Sequence, residues 1–130
     1  MATKVGSLKV LLVATSIFEG ATGLALMSTP TLVVKLLLES PLTDPMGVLV
    51  ARICGSALLS IALACWFSRK NESVNGLIIA LLFYNLASVL LLGYAGLYEK
   101  LTGIALWPAV GLHVLMALWS AKCLNIKSLK

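Results

Sequence analysis

The chain predicts an all-α fold: a four-transmembrane-helix bundle with a short interfacial helix between spans one and two. Three observations carry that prediction. Hydrophobic residues make up 60% of the 130 positions and charged residues only 12%, too little charge to cover a soluble domain. Four apolar stretches, near residues 8–27, 46–67, 74–97 and 104–124, reach the roughly 20 residues needed to cross the hydrocarbon core. The basic residues sit almost entirely in the connections and tails. The length permits one domain, so residues 1–130 read as a single integral membrane unit.

The first span reads LKVLLVATSIFEGATGLALM. Thr15, Ser16, Glu19, Thr22 and Gly23 recur at three- and four-residue intervals, which gathers them on one helical face. In lipid that small, polar face turns inward and the aliphatic face outward. A basic start before an apolar run also resembles a signal peptide. The run is too long for one and contains Glu19, so it is expected to stay as the first span.

Ser28-Thr29-Pro30 then opens a short helix that Ser40-Pro41 ends. It is too short to span and too apolar to sit in water. It is expected to lie in the interface as a connector that shields one end of the bundle, rather than as a lid.

The second span opens after Asp44-Pro45 and carries Arg52, Gly55, Ser56 and Ser60 near one face. Trp66 falls at its far end, before Ser68-Arg69-Lys70, where an interfacial aromatic belongs. The turn over 69–73 is short, so spans two and three are expected to be antiparallel neighbours. In span three Tyr84, Ala87, Ser88 and Leu91 share a face, with Asn85 beside it. Span four has Trp107-Pro108 near its start, where Pro is tolerated in a first helical turn.

Orientation follows from charge. Lys4, Lys9, Arg69, Lys70, Lys122, Lys127 and Lys130 fall on one side, and only Lys35 and Lys100 on the other. Positive-inside bias puts both termini in the cytoplasm, with a bacterial inner membrane as the expected location. The same bias accounts for the net charge of +5, and no nucleic-acid module is present. Three cysteines, Cys54, Cys65 and Cys123, with no pair on the outer side, do not make a disulfide framework. Cys54 could gain thiolate character near Arg52 but reads more simply as a buried, inert small residue. No Cys/His spacing indicates a metal, and no motif names a cofactor or a catalytic residue.

The functional lead is one polar intrusion per span: Glu19, Arg52, the Tyr84-Asn85 pair and His113. Such residues are costly in lipid and normally face a partner or a watery cavity. At a helix rise of about 1.5 Å per residue, Glu19 lies ~12 Å, Arg52 ~9 Å, and Asn85 and His113 each ~14 Å from the outer side. They therefore form one slab in the outer half. Glu19 and Arg52 are expected to pair, because either charge alone would have to neutralise or snorkel. The lone imidazole is expected to act as a polar partner of Glu19, Tyr84 or Asn85.

The segment Ala51-Arg52-Ile53-Cys54-Gly55-Ser56-Ala57-Leu58-Leu59, with Trp107-Pro108-Ala109 and His113, resembles uncharacterised small bacterial four-helix membrane proteins of a DoxX-like kind. That resemblance implies partnership with a quinone- or sulfur-oxidising complex. Glu19 with Gly23 is also similar to the first-helix glutamate region of small multidrug resistance transporters. Here Arg52 would compete with a cationic drug, and that family's aromatic pattern is missing. Glutathione-using membrane enzymes of eicosanoid metabolism carry a Glu-Arg-x-x-Arg-x-x-x-Asn pattern in the second helix, of which only Arg52 is present.

The leading expectation is a non-catalytic subunit or scaffold of a membrane assembly, in which the polar layer fixes packing. Its partners would be the lipid bilayer and either a homo-oligomer or a larger membrane complex. The alternative is a binding or transport protein that admits an anionic or amphipathic ligand from the outer side to Arg52, Glu19, Asn85 and His113. A membrane enzyme using His113 or Glu19 in proton transfer is a third reading.

Overall fold

Two prolines and two left-handed residues punctuate this chain. The computed structural model describes residues 2–71 and 74–124. Helix α1 runs Ala2–Ser28, α2 Pro30–Leu38, α3 Pro45–Ser68, α4 Asn75–Leu97 and α5 Leu106–Cys123. Pro30 and Pro45 each stand in the first turn of their helix, where the missing N–H costs nothing. Asp44 caps α3, its Oδ2 accepting from the Gly47 N–H at 2.8 Å. Glu39 ends α2 at φ 53° and Lys100 follows α4 at φ 58°, the conformation that commonly terminates a helix.

Four of the helices, α1, α3, α4 and α5, are long and apolar enough to cross a membrane. Their ends fall close to those read from the sequence. The main difference is at α1, which already begins at Ala2, six residues before the expected start; α5 starts at Leu106, two residues late, because Gly103 O first accepts from the Leu106 N–H at 3.0 Å in a tight turn. Pro108 then lies in the first turn of α5. The Thr29 hydroxyl does not cap α2. It bonds back to Ala25 O at 3.1 Å, and Ser28 bonds back to Leu24 O at 2.7 Å, so the α1–α2 corner is made by the tail of α1.

The long helices pack as two pairs, α1 with α3 and α4 with α5. The sequence-neighbouring α3 and α4 are not a packed pair, which corrects the expectation drawn from their short connection. The α1–α3 contact is set by Gly23 and Gly55. A Cβ on either would lie 2.7 Å from the other's carbonyl oxygen, so the two backbones touch. Gly96 serves the other pair, since a Cβ there would meet Leu106 and Trp107 at 3.0 Å.

The two pairs join near the end where α1 begins and α5 finishes. Leu11, Leu12, Cys65, Ile78, Leu81 and Met116 form a buried cluster there. The Trp119 indole donates to Ser7 Oγ at 2.9 Å across the same region. Outward faces carry large apolar side chains such as Leu49, Phe83, Leu90 and Leu115. An apolar exterior of that extent calls for a lipid surround. Toward the opposite end the pairs separate, and α2 lies over the space between them, touching α1, α3 and α5.

Candidate intramembrane binding site

The separation leaves a cavity of about 660 Å³ in the half of the bundle beneath α2. Its walls are aliphatic, with Leu58, Leu92 and Leu112 contributed by three different helices. Its roof is the underside of α2, where Val33, Leu36 and Leu37 face in. Those positions follow the i, i+3, i+4 rule of a single helical face, a pattern readable in the sequence once α2 is known to cover something.

The floor is polar. Glu19 of α1, Tyr84 of α4 and His113 of α5 all line the cavity. The Tyr84 hydroxyl donates to Glu19 Oε2 at 3.0 Å, linking two helices that barely pack together. The Tyr84 and His113 rings meet edge to face, with centroids 5.5 Å apart. Glu19 is only 8% exposed, held there because its α1 face is turned inward by the Gly23 contact four residues on.

Asn85 stands behind this floor and does not line the cavity. It is 2% exposed, its Nδ2 donating to Leu81 O at 2.7 Å and its Oδ1 lying 2.8 Å from His113 Nδ1. With the amide so oriented, Oδ1 is an acceptor and Nδ1 must carry the proton. In the neutral ring the other nitrogen, Nε2, is then a lone-pair acceptor. Among the described residues His113 makes no hydrogen bond besides the one to Asn85. Glu19 and His113 thus present hydrogen-bond acceptors at the bottom of an apolar chamber.

Arg52 is not part of this constellation, and the expected Glu19–Arg52 pair is not formed. Arg52 is exposed on α3, and among the described residues it takes part in no hydrogen bond or ion pair. Two offsets separate them, one along the helix axes and one around α3. The inward stripe of α3 is Gly55, Ala62 and Cys65, and at about 100° per residue Arg52 lies about 60° from Gly55, about 80° from Ala62 and about 140° from Cys65. The sequence puts Arg52 within about 3 Å of the depth of Glu19, but the antiparallel Gly23–Gly55 crossing sets the two about seven residues, ~10 Å, apart along the helix axes. Cys54 also departs from expectation: it is exposed and lines the cavity, whereas Cys65 and Cys123 are buried.

Two further polar atoms, Thr15 Oγ1 and Ser120 Oγ, are buried with no hydrogen-bond partner among the described residues. They lie deeper than the cavity floor, on α1 and α5. Among the described residues no group of three or more His, Cys, Asp or Glu side chains is placed to hold a metal ion. Searches against family models, curated proteins and solved structures match nothing to this chain.

Proposed function

We propose that this small membrane protein binds an amphipathic molecule whose head donates hydrogen bonds, a long-chain alcohol or amine in chemical terms. The observation that carries the reading is the cavity itself. A space of about 660 Å³ is the size that holds a drug-sized ligand, and sites of that kind are mostly apolar with a few convergent polar groups. The acceptors at the floor, His113 Nε2 and the Glu19 carboxyl, select a donor. An anionic head would find no cation there, because Arg52 points elsewhere. The reading assigns no chemical step to these residues. From the distribution of basic residues we place both termini in the cytoplasm, so that the cavity lies in the outer half of the membrane.

Protein in lipid nanodiscs, loaded separately with hexadecanol, hexadecylamine or hexadecanoate and examined by native mass spectrometry, tests this. The alcohol and the amine should be retained one per chain and the carboxylate should not. His113→Phe should release both by roughly tenfold, the equivalent of about 1.4 kcal/mol. Equal retention of all three heads, or retention unaffected by His113→Phe, refutes the reading.

A further inference from the structure

The cavity has a second property that bears on how anything reaches it. Leu91 lines the cavity yet keeps 70% of its surface exposed, and Phe18 keeps 47%, against 44% for Leu36 of the roof, whose helix lies on the outside of the bundle. A side chain enclosed in a chamber cannot be as open as Leu91, so Leu91 stands at a mouth, with Phe18 the next most open large apolar side chain of the lining. Both sit well inside their spans. Leu91 is six residues from the end of α4 and Phe18 ten residues from the end of α1, hence ~9 Å and ~15 Å from the α2 end of the bundle. At those depths the surroundings are hydrocarbon, not water. The mouth lies where α4, packed on α5, stands clear of α1 and α3.

At the end nearest water the loop before α5 is latched to α2. The Ala105 N–H donates to Leu36 O at 2.9 Å, and the Thr102 hydroxyl donates to the Glu39 carboxylate. A Cβ on Gly103 would lie 2.2 Å from the Leu37 carbonyl carbon. The loop before α5 is therefore pressed onto the backbone of α2, a contact only glycine permits.

We infer that the cavity fills sideways from the bilayer, through the mouth bordered by Phe18 and Leu91, while α2 and the 101–105 loop stay shut. The inference rests on the binding reading above. It also narrows the occupant. The acceptors lie deep, Glu19 being nine residues from the end of α1 or ~13 Å down. A head that reaches them from the membrane side must be small, a single hydroxyl or amine group, and its tail can trail through the mouth into lipid. A phosphate-bearing headgroup stays at the interface.

The test uses the full chain in liposomes with 11-(dansylamino)undecanol as probe, its arrival followed by energy transfer from tryptophan. Glu39→Cys and Thr102→Cys, introduced with Cys54→Ala, are bridged by a cleavable bis-methanethiosulfonate linker that pins α2 to the loop. Bridging should leave the association rate within about twofold of the same protein after reduction. Leu91→Trp, which narrows the mouth, should slow association about tenfold, and Leu91→Ala should accelerate it. A tenfold slowing on bridging, or rates indifferent to both Leu91 replacements, overturns lateral entry. If no energy transfer develops at equilibrium even in the parent chain, the binding reading fails and the entry route fails with it. Binding at equilibrium with slowing on bridging removes the route alone.

Discussion

Gly23 and Gly55 meet backbone to backbone, each lying where a Cβ on it would stand 2.7 Å from the other's carbonyl oxygen. That contact sets the rotation of α1 and α3 about their own axes. It turns Glu19 toward the cavity and leaves Arg52 on the outside.

Replacing Gly55 with Ala should therefore destabilise the bundle by about 1–3 kcal/mol, the usual range for overpacking. Unfolding in a mixed-micelle SDS titration measures it. The control Gly111→Ala, where a Cβ meets nothing within 4 Å, should be neutral or slightly stabilising. Equal effects at the two sites would remove the close crossing as the organising contact.

Tyr84→Phe deletes the hydroxyl that donates to Glu19 Oε2 at 3.0 Å. Hydrogen bonds between membrane helices are modest, so the expected coupling with Glu19→Gln in a double-mutant cycle is about 0.6–1.7 kcal/mol. A coupling energy of zero would show that the two side chains do not interact in the membrane.

Asn85 touches no part of the cavity but holds His113 through the 2.8 Å contact at Nδ1. Asn85→Leu should free the ring to exchange tautomers and weaken hexadecanol retention by about tenfold, equivalent to about 1.4 kcal/mol. The ¹⁵N shifts of the His113 ring report the same event independently. Those shifts should identify Nδ1 as protonated and Nε2 as unprotonated in the parent, and should move toward a mixture in the variant.

Arg52→Met should leave retention of the alcohol unchanged, since Arg52 lies outside the cavity. Native mass spectra of the variant decide it. Loss of the bound alcohol would return Arg52 to the site.

Cys54 should be the most reactive of the three thiols. It is exposed and lines the cavity, while Cys65 and Cys123 are buried. Brief treatment of liposomes with N-ethylmaleimide, followed by peptide mass spectrometry, should modify Cys54 at least several-fold faster than the others, because access limits the reaction. Prior loading with hexadecanol should protect it.

Much of this was legible along the chain because it is local. The four spans depend on length and apolarity, and the α2 start depends on Pro30. The common depth of Glu19, Tyr84, Asn85 and His113 follows from a constant helix rise. Those residues do come together, as Tyr84–Glu19 and His113–Asn85. Tertiary structure decided what depth alone does not contain. Where two helices cross and how they are rotated depend on which small residues let their backbones touch, so the Arg52 expected beside Glu19 stands about two helical turns nearer the α2 end and on the outside. Pairing depends on competition among all the helix faces at once, so α3 joined α1 rather than its neighbour α4. The cavity depends on two pairs that close at one end and part at the other. No local pattern encodes a gap, because a gap is defined by side chains from five separate elements that meet only after packing.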